Sequence, residues 1–347
     1  MIGEALVADQ LVGAPAAYRT PEDRPTLEEA RAWCARLAGS HYENFHVVTF
    51  FLPKRVRPHF ESIYAYCRVS DDLGDEVGDP ETALRLLGEW GAMLDECYDR
   101  PERSRHPVFV ALRETVVECA LPRRLLHDLL FAFRMDQVKT EYRTWAELVE
   151  YSRYSANPVG RLVLWVCGYR DEARALLSDK VCTALQLANF WQDVVRDSEI
   201  PRRYVPEESM ERFGVVEGQI EGRVFTPEFG AMVRDLVERT REMLREGGAI
   251  SETVDGELRV ALELFRKGGE AILDGIAAQE YDVLRGRPAV TKRKKRGPAV
   301  RTRPVLAINC SPGFIFNLTP NILQIAARTQ SWMEPLRLAL FAGASRS

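Results

Sequence analysis

The stretch Ile63-Tyr-Ala-Tyr-Cys-Arg-Val-Ser-Asp71-Asp-Leu-Gly-Asp75 decides the fold, because an apolar segment runs directly into two carboxylates four residues apart. A second stretch, Leu185-Gln-Leu-Ala-Asn-Phe-Trp-Gln-Asp193-Val-Val-Arg-Asp197, repeats this arrangement far along the chain. Residues four apart lie on one face of an α-helix, so each stretch predicts a helix whose two acids point the same way. The apolar flanks predict that both helices are buried around these acids, and buried carboxylates require cationic partners.

The remainder of the chain is also helical in pattern. Thr26-Leu-Glu-Glu29 predicts a capped helix start, and Pro58 lies where a helix that leads to the first acids begins. Short connections separate the patterns, and no alternating strand pattern appears. The sequence therefore predicts an all-α, single-domain fold without internal repeats. Further helices are predicted at about 80–98, 107–119, 122–137, 144–156, 158–168, 171–197, 226–246 and 256–282.

Both ends of the chain differ from this helical body, which spans residues 26–290. Residues 1–25 contain three prolines and are predicted to form an irregular, loose arm. Residues 291–347 form a tail that includes the basic run Lys292-Arg-Lys-Lys-Arg296. Three interpretations of this tail stay open: a solvated segment, electrostatic contact with anionic lipid at a membrane surface, or an altered reading frame.

Composition narrows the class of protein. The 347 residues are 46% hydrophobic and 28% charged, as in ordinary globular proteins, and the net charge of −4 gives no global attraction to nucleic acid. The seven cysteines are scattered and never spaced Cys-x-x-Cys, which favours reduced thiols and a cytoplasmic location. No secretory signal is visible, and no apolar run predicts a membrane-spanning helix.

The two acidic pairs predict a metal site. If the two helices face each other, their carboxylates form a cage of oxygen ligands of the kind that holds Mg²⁺ against a diphosphate. Asp72 lies about 100° around its helix from Asp71, so a supporting role is expected for it and an outer position for Glu76. The alternative is that each pair is surface decoration, since acidic pairs at this spacing are common on exposed helices.

The flanks of both pairs resemble the squalene/phytoene synthase family, over about residues 35–290. The resemblance implies a single all-α prenyl-synthase bundle with a central cavity, and an enzyme that condenses or rearranges prenyl diphosphates with Mg²⁺. The segment Tyr154-Ser-Ala-Asn157-Pro-Val-Gly-Arg161 is similar to the bacterial hydroxysqualene synthases of hopanoid pathways. Two departures from the family's commoner pattern put ordinary squalene or phytoene synthesis in doubt. Asn157-Pro158 stands where the commoner pattern has glycine and a small hydroxyl residue, and Gln192 stands where many relatives have arginine.

The resemblance also implies roles for individual residues. Gln186 and Asn189 lie seven and four residues before Asp193, so all three are expected on the helix face that lines the cavity. Helix–helix hydrogen bonding is the alternative role for both amides. Arg68 is expected to bind diphosphate, with an intrahelical ion pair to Asp71 or Asp72 as its alternative. The implied Mg²⁺ ligands are Asp71, Asp75, Asp193 and Asp197; the implied diphosphate-binding residues are Arg68, Arg203 and Tyr204; and the implied catalytic residues are Tyr151, Asn157, Gln186 and Asn189.

Two of these roles concern the fate of a carbocation. The ring face of Tyr151 could stabilise a cation, with core packing as its alternative. Asn157 could hold the water that captures the cation, although an asparagine before proline is also a routine turn or cap residue. No Gly-x-Gly-x-x-Gly follows a strand, so no nicotinamide site is visible, which fits capture by water better than reduction.

The resulting interpretation is an Mg²⁺-dependent lyase that converts presqualene diphosphate and water to hydroxysqualene and diphosphate. The alternative within the same family is head-to-head condensation of two farnesyl diphosphates to presqualene diphosphate, or squalene or phytoene synthesis. A catalytically silent helical assembly factor is the alternative outside enzymes, and loss of a ligand aspartate would be its signature. Both pairs are intact. Greasy substrates also favour peripheral contact with the inner face of a membrane.

Overall fold

The computed structural model describes residues 11–40, 54–200 and 202–287, and within these ranges it contains thirteen α-helices and no strand. The all-α prediction is therefore confirmed. The helices are α1 (Leu27–Ser40), α2 (Arg57–Asp75), α3 (Pro80–Asp99), α4 (Pro107–Cys119), α5 (Arg123–Met135), α6 (Trp145–Ser155), α7 (Asn157–Val166), α8 (Glu172–Gln192), α9 (Val194–Ser198), α10 (Glu207–Phe213), α11 (Glu217–Glu221), α12 (Pro227–Gly247) and α13 (Gly256–Ala278).

Helix starts follow local capping chemistry. The predicted capping box is present at α1, where the Thr26 backbone N–H donates to Glu29 Oε2 at 2.8 Å and the Glu29 N–H donates to Thr26 Oγ1 at 3.2 Å. Helices α3, α6, α8 and α12 begin after side chains that accept a hydrogen bond from the first turn. These cap residues are Asp79, Thr144, Asp171 and Thr226.

The prediction of one continuous helix over residues 171–197 is wrong. Helix α8 ends at Gln192, and Asp193 takes φ −107° and ψ 15° before the short helix α9. The Asp193 N–H still donates to the carbonyl of Asn189 at 3.0 Å, and the Asp197 N–H donates to that of Asp193 at 2.9 Å. The i to i−4 hydrogen bonds therefore continue past Asp193, and the helical dihedrals are interrupted at that residue alone.

Two groups of helices form the core. Helix α2 packs against α1, α3, α4 and α5, whereas α8 packs against α6, α7, α12 and α13, and α7 contacts both α2 and α8. The α7–α8 contact is close at Gly160, where an added Cβ would overlap Ser178 Oγ and Cys182 Sγ. Each aspartate pair consequently lies at the C-terminal end of the central helix of its own group.

Residues 11–25, the described part of the N-terminal arm, have an irregular backbone apart from one 3₁₀ turn, as the sequence predicted, although three of their side chains are buried. Leu11, Ala14 and Tyr18 are buried, and a 3₁₀ turn spans Ala16–Tyr18. The Leu11 N–H donates to Glu89 Oε2 at 2.7 Å. Burial of these three apolar side chains favours packing of the segment against the helices, which its prolines alone do not indicate. The 291–347 tail lies outside the described residues.

Two further features concern the described residues alone. Six cysteines fall within them, all as free thiols, and five of the six are buried. None of the helices there combines the length and the apolar character that crossing a bilayer would need.

Candidate active site

The first aspartate pair lies in the last turns of α2. Asp71 is buried, and burial, together with the charge of Asp75, raises the pKa of Asp71 well above its usual value. The effect of the Asp75 charge on Asp71 agrees with the four-residue spacing, which puts both carboxylates on one face of the helix. A cation between them would relieve both the desolvation and the repulsion.

Arg68 forms ion pairs within its own helix. Its Nε donates to Asp72 Oδ2 at 3.0 Å, and its other nitrogens lie 3.5 Å from Asp71 Oδ2 and 3.5 Å from Glu76 Oε1. The intrahelical ion pairs considered for Arg68 are therefore present, and they leave its diphosphate-binding role a prediction. Asp72 and Glu76 have the supporting positions expected of them, since both contact Arg68.

The second pair straddles the break between α8 and α9. Asp193 and Asp197 are both buried, and burial, followed by the charge of Asp193, raises the pKa of Asp197. Asp193 accepts from Arg287, whose Nε lies 2.8 Å from Oδ1 and whose Nη2 lies 3.1 Å from Oδ2. Burial still raises the pKa of Asp193, although Arg287 opposes the shift.

Arg202 connects the two pairs. Its Nη2 lies 3.1 Å from Asp75 Oδ1. Burial raises the pKa of Asp197 and of Asp136, and the charge of Arg202 opposes both rises. One guanidinium therefore faces acids from both motifs. The structure thus brings the two aspartate pairs to one region of the molecule, as the sequence predicted.

Arg202, the neighbour of the expected Arg203, is the arginine that contacts Asp75. Arg203 lies 3.2 Å from Glu141 Oε2 and 3.5 Å from Glu217 Oε1, and it borders a cavity that Asp197 also borders. Its backbone forms a bridge with Glu141, and its N–H donates to Thr140 O at 2.7 Å. Successive side chains of an extended segment point in opposite directions, so only one of the two arginines can face Asp75.

An aromatic wall lies beside these acids. The Phe190 and Tyr204 rings stack with centroids 3.8 Å apart, and Tyr151 lies against both. The Tyr151 hydroxyl donates to Asp136 Oδ2 at 3.0 Å. Tyr142 packs on Tyr151 at 5.4 Å between centroids. Two of the expected residues, Tyr151 and Tyr204, are therefore adjacent to each other and to the acidic region.

Asp136 borders the site but received no role from the sequence, although the segment Phe133-Arg-Met-Asp136 is also similar to bacterial hydroxysqualene synthases. It follows α5 directly, and burial raises its pKa to about 7, with Arg202 and Tyr151 opposing the shift. The available signal was an acid at the end of a strongly apolar helix, Leu125-Leu-His-Asp-Leu-Leu-Phe-Ala-Phe133. Nothing local distinguishes that acid from an exposed residue at a helix end, so only the packed structure reveals its contact with Tyr151.

Two cavities meet at Arg202. One of about 250 Å³ is bordered by Phe190, Asp197 and Tyr204, and the other, of about 530 Å³, by Asp75 and Asp136. Thr140, Ile200 and Arg202 border both cavities. Acids of the two motifs therefore face neighbouring spaces that share a wall.

Gln186 and Asn189 are buried in α8 upstream of Asp193. Within the described part of the chain, Asn189 Oδ1 has no hydrogen-bond partner although no solvent reaches it. An unpaired buried amide oxygen is costly, which suits a group that receives a ligand.

Asn157 is placed differently. Thr183 Oγ1 donates to its Oδ1 at 2.9 Å, and it borders a groove of about 540 Å³ together with Arg161, Trp165 and Asp179. It borders neither of the two cavities at Arg202. The observed role of Asn157 is a hydrogen bond between α7 and α8.

The donor set suits Mg²⁺ brought in with a diphosphate. Among the described residues, no group of three or more histidine, cysteine or acidic side chains is arranged to hold a metal by itself. Mg²⁺ usually takes one or two protein carboxylates, with waters and substrate phosphates completing its shell. The four aspartates are oxygen donors in two pairs, and the raised pKa values of Asp71 and Asp197 show acids short of positive charge.

Comparison with known proteins agrees with this geometry. A model of the squalene/phytoene synthase family matches residues 38–294. Hydroxysqualene synthase from Zymomonas mobilis is 31% identical over 272 residues, covering 75% of this chain and 87% of that enzyme. The hydroxysqualene synthase from Rhodopseudomonas palustris is 33% identical over 224 residues, covering 64% of this chain and 74% of the other.

A solved structure extends the agreement to three dimensions. Squalene synthase HpnC from Alicyclobacillus acidocaldarius is 40% identical, aligns with a TM-score of 0.70, and covers 79% of this chain and 99% of its own. The family match includes both aspartate motifs and most of the helical body. The chain therefore belongs to the squalene/phytoene synthase family, whose members act on prenyl diphosphates.

Proposed function

We propose that this enzyme converts presqualene diphosphate and water to hydroxysqualene and diphosphate with the help of Mg²⁺. The observation that carries the proposal is the meeting of acids from both motifs around Arg202, beside the aromatic wall of Tyr151, Phe190 and Tyr204. The choice of product is supported by the relatives from Z. mobilis and R. palustris, both hydroxysqualene synthases.

Acidic and basic residues of the site have different roles in ionisation of the substrate. Mg²⁺, when bound, supplies Lewis-acid neutralisation of the diphosphate leaving group. The four aspartates would hold it, and Arg68 and Arg202 would hold phosphate oxygens through charged N–H donors. Both arginines already lie against the aspartates. Each could therefore move from an acid to a phosphate without leaving the site.

The aromatic wall would protect the cation once diphosphate departs. The π faces of Tyr151, Tyr204 and Phe190 attract a positive charge without reacting with it. The tyrosine hydroxyls remain protonated, since burial raises the pKa of Tyr151 and of Tyr204. Water then supplies the oxygen of the new C–O bond, and the proton that it loses passes to the departed diphosphate, so the atoms and charges balance.

A second candidate is head-to-head condensation of two farnesyl diphosphates, followed in some enzymes by reduction to squalene. The specific support is the 40% identity to the protein solved as squalene synthase HpnC. The two candidates share the ionisation step and the aspartate site. They differ in whether a second prenyl chain or a water molecule meets the cation.

A substrate assay separates the candidates. The purified protein is incubated with Mg²⁺ and no NADPH, with presqualene diphosphate in one series and farnesyl diphosphate in the other. The proposal expects hydroxysqualene from the first and no consumption in the second. Consumption of farnesyl diphosphate alone would contradict the proposal and favour the condensation.

Peripheral membrane contact is a separable part of the proposal. It rests on the basic run Lys292-Arg-Lys-Lys-Arg296, because each basic residue near an anionic surface contributes about 1 kcal/mol of attraction. The full chain should sediment with phosphatidylserine vesicles, whereas a variant without residues 291–347 should stay in the supernatant. Equal sedimentation of the two proteins would contradict it.

A further inference from the structure

The N-terminal segment reaches the first aspartate motif through one hydroxyl group. Tyr18 is buried, and its hydroxyl donates to Asp72 Oδ2 across 54 residues of sequence. Burial and this hydrogen bond both raise the pKa of Tyr18, so the phenol stays a donor at neutral pH. Asp72 is itself 1% exposed, and no water can replace the bond.

The ring of Tyr18 is held independently of its hydroxyl. It packs edge-on against Trp33, with 6.4 Å between centroids, and Trp33 packs edge-on against His106. The Val108 N–H donates to His106 Nδ1 at 3.2 Å, so the neutral ring carries its proton on Nε2 and donates it to Tyr18 O at 3.1 Å. Burial lowers the pKa of His106 to about 3, which keeps this arrangement neutral.

Asp72 serves two donors at once. Its Oδ2 accepts from Tyr18 and also from Arg68 Nε at 3.0 Å, while its Oδ1 faces Arg68 Nη2. The same guanidinium lies 3.5 Å from Asp71 Oδ2. The side chain of Arg68 is therefore held between an acid assigned to the metal and an acid fixed by the N-terminal segment.

We propose that Tyr18 is a positioning residue, which holds Asp72 and through it keeps Arg68 aimed at the diphosphate. The inference rests on the proposed diphosphate chemistry of this site and adds a residue outside both aspartate motifs. Without the phenol, Asp72 keeps a buried oxygen with one donor fewer, and Arg68 gains freedom to settle on Asp71. Arg68 would then compete with the metal for that carboxylate.

The test is binding of inorganic pyrophosphate with Mg²⁺, measured by titration calorimetry, which needs no turnover. Tyr18→Phe removes one oxygen and keeps the ring against Trp33, so it should still fold, at a cost of about 1–3 kcal/mol for the donor that buried Asp72 loses. We expect its Kd to rise between about threefold and tenfold. Tyr98→Phe is the matched control, because it also deletes a phenol hydrogen bond, to Leu121 O at 3.0 Å, and should leave the Kd unchanged.

A double-mutant cycle with Arg68→Gln shows whether Tyr18 acts through the arginine. Once Arg68 is gone, adding Tyr18→Phe should change the Kd by less than about 1.5-fold, because coupled residues are not additive. Equal effects in both backgrounds, or an unchanged Kd in Tyr18→Phe alone, would overturn the inference while the proposed function stands. Failure of the wild-type protein to bind Mg²⁺-pyrophosphate would overturn both.

Discussion

The two aspartate motifs have the same spacing but different supports. The first lies on the unbroken helix α2, where Arg68, Asp72 and Tyr18 surround it with hydrogen bonds. The second is divided by the end of α8 at Asp193 and is balanced by Arg287, from the segment after α13. One motif is fixed within a dense local network, and the other depends on a contact 94 residues away.

This difference indicates which motif yields more readily to a ligand. Arg68 is embedded, with 17% of its side chain exposed, whereas 39% of the Arg287 side chain is exposed. Exposed ion pairs contribute little and exchange readily with solvent, while buried ones are costly to break. We therefore expect the second motif to adapt to metal and diphosphate more than the first.

The largest expected effect comes from removing one acid of either motif. Asp75→Asn and Asp193→Asn should each lower kcat at least about 100-fold, because charge stabilisation by metal and donors is worth several kcal/mol. The measurement is turnover of presqualene diphosphate at saturating Mg²⁺. Asp128→Asn is the control, since Asp128 pairs with Arg124 at 3.3 Å outside this site. An Asp193→Asn variant with more than a tenth of wild-type activity would show that only the first motif serves catalysis.

A pH effect on stability is expected from Asp136. Its pKa is about 7 in the folded protein against an ordinary 3.8, so the folded state keeps a proton that the unfolded state loses. Stability is therefore lost as pH rises from about 4 to about 7. We expect the free energy of unfolding in urea to fall between pH 5 and pH 8 in the wild-type protein. In Asp136→Asn the fall should be smaller by about 2 kcal/mol.

The control for this prediction has the opposite sign. The hydrogen bond from Arg123 lowers the pKa of the exposed Asp99, so Asp99→Asn should lose a stabilising contribution present at neutral pH. Identical pH slopes for wild type and Asp136→Asn would contradict the assignment of a buried, protonated Asp136.

A smaller effect is expected at Arg287. Arg287→Gln leaves Asp193 without its ion pair and should lower the free energy of unfolding by about 1 kcal/mol, since the pair is partly exposed. Mg²⁺ should then raise the Tm of the variant more than that of wild type, because the metal replaces a missing cation. Arg285→Gln, which breaks the neighbouring pair with Asp282, is the control. A Mg²⁺ response equal in all three proteins would argue against metal contact at Asp193.

The smallest effect is expected at Asn157. Asn157→Ala and Thr183→Val each remove the same hydrogen bond between α7 and α8, and each should cost about 1 kcal/mol of stability. The fraction of alcohol among the products should stay unchanged in both. A loss of alcohol in Asn157→Ala but not in Thr183→Val would instead support a water-positioning role for the asparagine.

The fold was largely predictable because its signals are local. Caps such as Thr26 with Glu29, and apolar periodicity, set helix positions to within a few residues over most of the described chain. The pairing of acids at four residues also has a local cause, and the charge of Asp75 raises the pKa of Asp71 as that spacing implies. Helix geometry alone carries that information.

The contacts between distant segments could not be predicted in this way. Choosing Arg202 over Arg203 depends on the register of an extended segment, where a shift of one residue reverses every side chain. The bond from Tyr18 to Asp72 and that from Tyr151 to Asp136 join segments whose sequences show no sign of each other. The break at Asp193 has no proline or glycine to announce it.

The central claim is that both motifs serve one metal–diphosphate site despite their different supports. A crystal structure with Mn²⁺ and pyrophosphate tests it most directly, since Mn²⁺ accepts the same oxygen ligands and gives an anomalous signal. The account predicts metal peaks at Asp71 with Asp75 and at Asp193 with Asp197, bridged by one pyrophosphate, with Arg287 displaced from Asp193. Metal at only one pair, or pyrophosphate bound away from Arg68 and Arg202, would contradict it.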